Sequence, residues 1–167
     1  MSEEEFERVL ERNKNMVLRL AFSYLRNMAD AEDVSQDVFI KYYNNNIIFN
    51  TLEQERAWLI RVTINRCHDI RKSAWFRKRV QLNEIQAITE IEDEQEILQE
   101  VLSLTDKYRI IIYLYYYEEY SVSEIADITG RKISTVQTQL KRARELLRKR
   151  MMREEKNAYE KLQTSHE

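Results

Sequence analysis

SVSEIADITGRKISTVQTQLKRARELL, residues 121–147, is the most informative stretch of this chain. Ser121 and Glu124 have the spacing of a capping box, which begins a short helix. Gly130, the only glycine in the chain, follows that helix and suits a turn residue with positive φ. A second helix then carries apolar residues at three- and four-residue steps: Ile133, Val136, Leu140, Ala143 and Leu147. This pattern predicts a helix-turn-helix.

The composition extends the helical prediction to the whole chain. Its 167 residues are 43% hydrophobic and include one glycine and no proline. Hairpin-rich sheets, sandwiches, barrels and glycine-rich phosphate loops all need turn residues that this chain lacks. The run at 110–117 has the β-branched and aromatic residues of a strand, but no second such run exists to pair with it. The fold class expected is therefore all-α.

Periodicity divides the chain into two small helical domains joined by a linker. Three helices are expected in the first domain. The first ends near Leu25, the second begins after a cap at Asp30, and the third runs from about Glu53 to Lys72. A cap at Asp106 is expected to begin a helix of the second domain. The predicted boundaries are 1–78 for the first domain, 79–93 for the linker, 94–155 for the helix-turn-helix domain and 156–167 for a frayed tail.

Basic residues are concentrated in two segments, although the formal net charge is only −2. Residues 56–79 carry eight lysines and arginines against one acid, and residues 131–153 carry nine against one. Solvated helix faces would explain either segment alone. Two such segments on an acidic chain indicate contacts with a polyanion at two places.

The second helix of a helix-turn-helix enters the DNA major groove, so its exposed polar residues are candidates for DNA contact. Glutamine can pair with adenine, lysine and arginine with guanine or phosphate, and serine and threonine with either kind of acceptor. The alternative is an ordinary helical hairpin with a polar surface. The candidates are Ser134, Thr135, Gln137, Thr138, Lys141 and Arg142.

These motifs resemble those of a known family. Residues 104–109, 123–126, 130 and 134–144 resemble region four of bacterial RNA polymerase sigma factors. Residues 30–39, 57–59, 64–66, 69 and 71–72 resemble regions 2.2 to 2.4 of the same family. The family usually has Pro at the position of Thr105, and Lys-Ser-Arg at 137–139. Because the second domain follows the first directly, the resemblance is to the extracytoplasmic-function, or group IV, subgroup.

The resemblance implies roles for residues of the first domain. Asp33, Gln36 and Asp37 share one helix face by their spacing, and the resemblance implies that they bind the β′ clamp helices of core RNA polymerase. It also implies contact of the second domain with the β flap. The residues implied to contact or melt minus-ten DNA are Arg61, Asn65, Arg66, Arg71, Lys72 and Phe49, with base capture assigned to Asn65 and the loop at 44–54.

The expected function is that of an alternative sigma factor that recognises minus-ten and minus-thirty-five promoter DNA. No catalytic constellation, small-molecule substrate, cofactor or metal site is expected, because the lone Cys67 has no metal-spaced partner. An acidic N-terminus unlike a signal peptide favours the cytoplasm, where the family implies an anti-sigma factor, often membrane-bound, as inhibitor. The alternatives are a stand-alone helix-turn-helix regulator and a helical adaptor without DNA recognition.

Overall fold

The computed structural model describes residues 1–45, 47–73 and 100–164, with side chains through 153 and at Lys156. The secondary structure in these ranges is helical throughout, which agrees with the all-α prediction. The predicted linker at 79–93 lies outside the described residues. The helices are α1 (Glu3–Leu25), α2 (Met28–Asn45), α3 (Leu52–Lys72), α4 (Asp106–Ile112), α5 (Val122–Thr129) and α6 (Ile133–Thr164).

Local capping explains where the first three helices begin. Ser2 and Glu5 form a reciprocal capping box at α1, and Thr51 caps α3 by accepting from Gln54 N at 3.2 Å. The start of α2 differs from the prediction. Asn27 Oδ1 accepts from Asp30 N at 2.9 Å, so Asn27 satisfies the first turn and Asp30 lies within the helix, where its charge suits the N-terminal end of the helix dipole.

The strand-like run at 110–117 is helical, as predicted. Helix α4 covers its first part and continues directly into a single π-helical turn, Tyr113–Tyr117. Ile110, Ile111 and Leu114 are at most 1% exposed, so tertiary burial overrides their strand propensity. Thr105, rather than the predicted Asp106, is the N-cap residue of α4.

Helices α5 and α6 form the predicted helix-turn-helix. Ser121 and Glu124 make the capping box at α5, and Gly130 ends it with φ 67° in the left-handed region. Val136 fills the space between the helices and is fully buried. Ile133, expected on the same apolar face, is 49% exposed because it lies at the first position of α6, before the crossing with α5. Helix α6 continues to Thr164, beyond the point where fraying was expected.

The helices form two units, α1–α3 and α4–α6, which pack against each other. Helix α1 contacts α4, and α3 contacts α5, through a continuous apolar core. The buried Arg109 guanidinium of α4 donates to the carbonyl oxygen of Ser23 in α1 as well as to its own unit, at Leu102 O (2.6 Å) and Leu104 O (2.7 Å). Burial lowers the pKa of Arg109 to about 10.

Candidate nucleic-acid interface

The recognition face of α6 is open to solvent. All six side chains predicted to contact minus-thirty-five DNA are exposed: Ser134, Thr135, Gln137, Thr138, Lys141 and Arg142. Thr138 is partly committed, because its hydroxyl donates to Ser134 O at 2.8 Å and can offer only its lone pairs to a ligand. The structure thus brings the predicted set together on one helix face.

Gln139 is one of the residues that depart from the family pattern, and it points to the turn. Its Oε1 accepts a hydrogen bond from Arg131 Nη1 at 2.8 Å. The same Arg131 nitrogen lies 3.4 Å from Lys107 O at the start of α4. Arg131 therefore ties the turn of the helix-turn-helix to both α4 and α6.

A cleft of about 470 Å³ opens between α2 and α3. It brings together residues predicted for two different sites, since Asp37 was assigned to polymerase and Asn65 and Arg66 to minus-ten DNA. Arg66 Nε donates to Asp37 Oδ2 at 2.7 Å, and both side chains are 45% exposed. Asp33 and Gln36 are also exposed on α2. The cleft thus brings Asp37 of one predicted set beside Asn65 and Arg66 of the other.

Two predicted minus-ten residues on α3 contact the second unit. Arg61 reaches across to the end of α5, with Nη2 3.2 Å from Asp127 O and Nε 3.4 Å from Ile128 O. Arg71 Nη1 lies 2.6 Å from Asp106 Oδ2 of α4 in an ion pair that lacks hydrogen-bond alignment. Lys72 is exposed near the end of the helix. In this arrangement Arg61 and Arg71 serve the contact between the two units.

Phe49 is half-buried in an aromatic cluster rather than free at the loop surface. Its ring stacks on Tyr42 with a centroid distance of 6.0 Å and lies 5.9 Å from Trp58. Trp58 is itself in edge contact with Tyr42 at 5.7 Å, so it packs within the same cluster. The most exposed large apolar side chain of this loop is Ile48, at 91%.

Glu55, which no motif in the sequence singled out, joins α3 to α1 and α2. Its side chain is 9% exposed, and Oε1 accepts from Arg12 Nη2 at 2.7 Å and Asn13 Nδ2 at 3.1 Å. Its Oε2 accepts from Tyr42 at 3.0 Å, and burial followed by this hydrogen bond raises the pKa of Tyr42 to about 12. All three donors come from other helices, so spacing along α3 carried no signal for this network.

A second ion pair across the two units involves Glu118, which follows the π-helical turn. Its carboxylate accepts from the Arg56 guanidinium of α3 and from the Tyr113 hydroxyl at 2.7 Å. The Glu118 side chain is only 6% exposed, whereas that of Arg56 is 39% exposed. This contact joins the first turns of α3 to the second unit.

Burial shifts the ionisation of both Cys67 and His68. Burial raises the pKa of the Cys67 thiol to about 12, which leaves it protonated near neutral pH. Burial also lowers the pKa of His68, whose Nε2 lies 3.2 Å from the Tyr24 hydroxyl. Within the described ranges, no group of histidine, cysteine and acidic side chains could hold a metal ion. None of the helices in those ranges is long and apolar enough to cross a membrane.

Comparison with known proteins agrees with this geometry. Residues 9–77 match the family model "Sigma-70 region 2", and residues 94–147 match "Sigma-70, region 4". The sigma factor SigW of Bacillus subtilis is 32% identical over 157 residues, covering 83% of this chain and 84% of SigW. SigV of the same organism is 29% identical, covering 86% of this chain and 89% of SigV.

Solved structures share the fold. The sigma factor RpoE from Bartonella quintana, in complex with the anti-sigma factor NepR, matches with a TM-score of 0.65 at 22% identity, over 87% of this chain and 96% of that one. CnrH in complex with the cytosolic domain of CnrY matches with a TM-score of 0.64 at 21% identity, over 90% and 89%. With both sigma regions matched in order, this chain belongs to the extracytoplasmic-function group of the sigma-70 family and is an alternative sigma factor that initiates transcription by bacterial RNA polymerase.

Proposed function

We propose that this sigma factor contacts minus-thirty-five DNA through α6, and polymerase and minus-ten DNA through α2 and α3. The exposed recognition face of α6 is the observation that carries the proposal. Ser134, Thr135, Gln137, Thr138, Lys141 and Arg142 would contact minus-thirty-five DNA. Gln137 is the candidate for reading adenine, because its amide can pair with the N6 and N7 edge in the major groove. Lys141 and Arg142 supply positive charge, which the phosphates of the DNA attract.

The proposed polymerase contact is the exposed α2 face formed by Asp33, Gln36 and Asp37. Carboxylates on one helix face suit an arginine-bearing partner, and the β′ clamp helices are that partner in the family. The β flap is the proposed partner of the second unit. Bond formation belongs to the polymerase, so we assign this chain no catalytic step.

The proposed minus-ten surface joins Asn65, Arg66 and Lys72 of α3 to the loop that precedes it. Phe49 would support this loop from within the aromatic cluster, while the exposed Ile48 meets the separated strands. Arg61 and Arg71 belong to the same surface, but they are held by the second unit in the packed arrangement. The full minus-ten contact therefore requires the two units to separate.

We propose boundaries of 1–78 for the polymerase and minus-ten unit and 94–155 for the minus-thirty-five unit, with a linker at 79–93. The proposed place of action is the cytoplasm. Of the two structural neighbours, RpoE was solved with the anti-sigma factor NepR and CnrH with the cytosolic domain of CnrY. By extension, an anti-sigma factor is a proposed partner of this chain.

Run-off transcription tests the proposal, with purified core polymerase and genomic fragments as templates. The wild-type chain should produce discrete transcripts that core polymerase alone does not. Lys141→Ala or Arg142→Ala should each reduce promoter affinity by about 1–3 kcal/mol if a base contact is lost. Lys149→Ala, which removes an exposed cation of α6 seven residues beyond Arg142, is the matched control.

The two alternatives make different predictions in the same assay. A stand-alone regulator would bind an operator tightly without polymerase, whereas the proposal expects weak, salt-sensitive binding until core enzyme separates the units. An adaptor without DNA recognition would be indifferent to both substitutions. The absence of any transcript above the core-only level would overturn the proposal.

A further inference from the structure

A second cleft, of about 280 Å³, lies beside the recognition face. One wall is the start of α4, with Lys107 and Tyr108, and the other is the first turns of α6. Residues of both elements line it: Lys107, Tyr108, Ser134, Thr135, Thr138, Gln139 and Arg142. The first two were not among the predicted DNA contacts.

The cleft is positively charged and holds no acid. Its two cations are Lys107 and Arg142, and the ion pairs found within the described ranges give neither one a carboxylate partner. Lys107 Nζ lies 4.8 Å from the ring centroid of Tyr108. The first turn of α6 also contains no acid, so the positive end of that helix is not neutralised locally.

Hydrogen bonding holds the cleft in shape. Arg142 lines the cleft together with Tyr108, and its interaction with the phenol is the main reason that the pKa of Tyr108 is lowered. On the other side, Arg131 bridges Lys107 O and Gln139 Oε1, so the backbone of one wall is linked to the side chain of the other. Gln139, which departs from the family pattern, therefore helps to position Lys107.

We propose that this cleft binds a backbone phosphate of the promoter DNA next to the minus-thirty-five element, with Lys107 and Arg142 as its charged ligands. The hydroxyls of Ser134 and Thr135 are available as further donors on the α6 wall. Lys107 thereby lets α4 anchor the duplex backbone while α6 reads the bases. This inference rests on the proposed function of the α6 face.

The test measures promoter affinity of the full chain with core polymerase as a function of salt, for wild type, Lys107→Gln and Lys149→Gln. Each phosphate contact contributes about 0.9 to the slope of log K against log salt. The ratio of wild-type to Lys107→Gln affinity should therefore fall about 3.5-fold between 50 and 200 mM salt. Lys149→Gln removes the same charge about 22 Å along α6 from Ser134 and should leave the slope unchanged.

Duplexes carrying one neutral methylphosphonate at each position around the minus-thirty-five element locate the contact. For wild type, one position should weaken binding, and for Lys107→Gln that same position should cause a smaller loss, because only Arg142 then remains as a charged ligand. A wild-type slope and an unaltered methylphosphonate profile for Lys107→Gln would overturn the cleft while leaving the proposed function intact. Failure of the wild-type chain with core polymerase to bind any promoter duplex would overturn both.

Discussion

Replacing Glu118 by glutamine tests whether packing of the two units keeps promoter DNA away from α3. The carboxylate is almost fully buried and receives the Arg56 guanidinium from the opposite unit. Glutamine keeps the shape and one acceptor oxygen but removes the charge. We expect Glu118→Gln to shift the chain toward the separated arrangement and to raise its DNA affinity in the absence of core polymerase.

The magnitude follows from the exposure of the two partners. Removing one member of a fully buried ion pair costs about 3–5 kcal/mol, whereas an exposed pair is worth about 0–1 kcal/mol. Arg56 is 39% exposed and regains water when its partner is lost, so about 1–2 kcal/mol is the appropriate value. That energy changes the ratio of separated to packed molecules about 5- to 30-fold. Apparent affinity rises by the same factor while the packed form dominates.

The assay is fluorescence anisotropy of a labelled promoter duplex, with and without core polymerase. Tyr113→Phe is the matched control, because it removes the other hydrogen bond to Glu118 from within the second unit and leaves the contact with Arg56 in place. With core polymerase present, Glu118→Gln and wild type should bind alike. A Glu118→Gln chain that melts cooperatively but binds DNA no better than wild type without core would refute the reasoning.

Three further predictions concern stability and reactivity. Gly130→Ala should lower the free energy of unfolding by about 1–2 kcal/mol through left-handed strain alone, because nothing lies within 4 Å of the added Cβ; Gly130→Asn should lose less, and equal melting temperatures would contradict this. Cys67, with a thiol pKa of about 12, should react with iodoacetamide at pH 8 about 1000-fold more slowly than an ordinary thiol, and rapid labelling of the folded chain would contradict its burial. Burial raises the pKa of Tyr24 to about 12 as well, so Cys67 and Tyr24 both ionise at lower pH in the unfolded chain than in the folded one. The free energy of unfolding measured in urea should therefore be constant below about pH 8.5 and fall as the pH rises toward 12. A free energy of unfolding that does not change over this range would contradict the prediction.

Structural features that depend on residues close together in the chain were predicted well. The capping box at Ser121, the turn at Gly130 and the buried Val136 all follow from spacings within a few residues, and the structure has each of them. The cap of α2 was misplaced by the same local reasoning. Asn27 and Asp30 are both good capping residues, and only the geometry of the turn after α1 selects the first.

Contacts between distant residues were not predictable in this way. Glu55 is a typical exposed residue by its position near the start of a helix, yet donors from α1 and α2 bury it. The resemblance assigned Phe49 and its loop to base capture, and no spacing in the sequence indicated that the ring also contacts Tyr42 and Trp58. The pattern of a single helix contains no information about which other helix will cover it.

The ion pairs on α3 indicate an order for promoter engagement. Among the described residues Arg66 pairs with Asp37 of its own unit, and a pair whose side chains are both 45% exposed is worth about 0–1 kcal/mol. In the proposed polymerase contact, an arginine that binds Asp37 therefore releases Arg66 at little cost. Arg61 and Arg71 instead contact α5 and α4, so they become available only when the apolar contact between the units is broken as well. Polymerase binding at α2 should thus precede the full minus-ten contact of α3, because it removes the cheaper restraint first and supplies binding energy for the second.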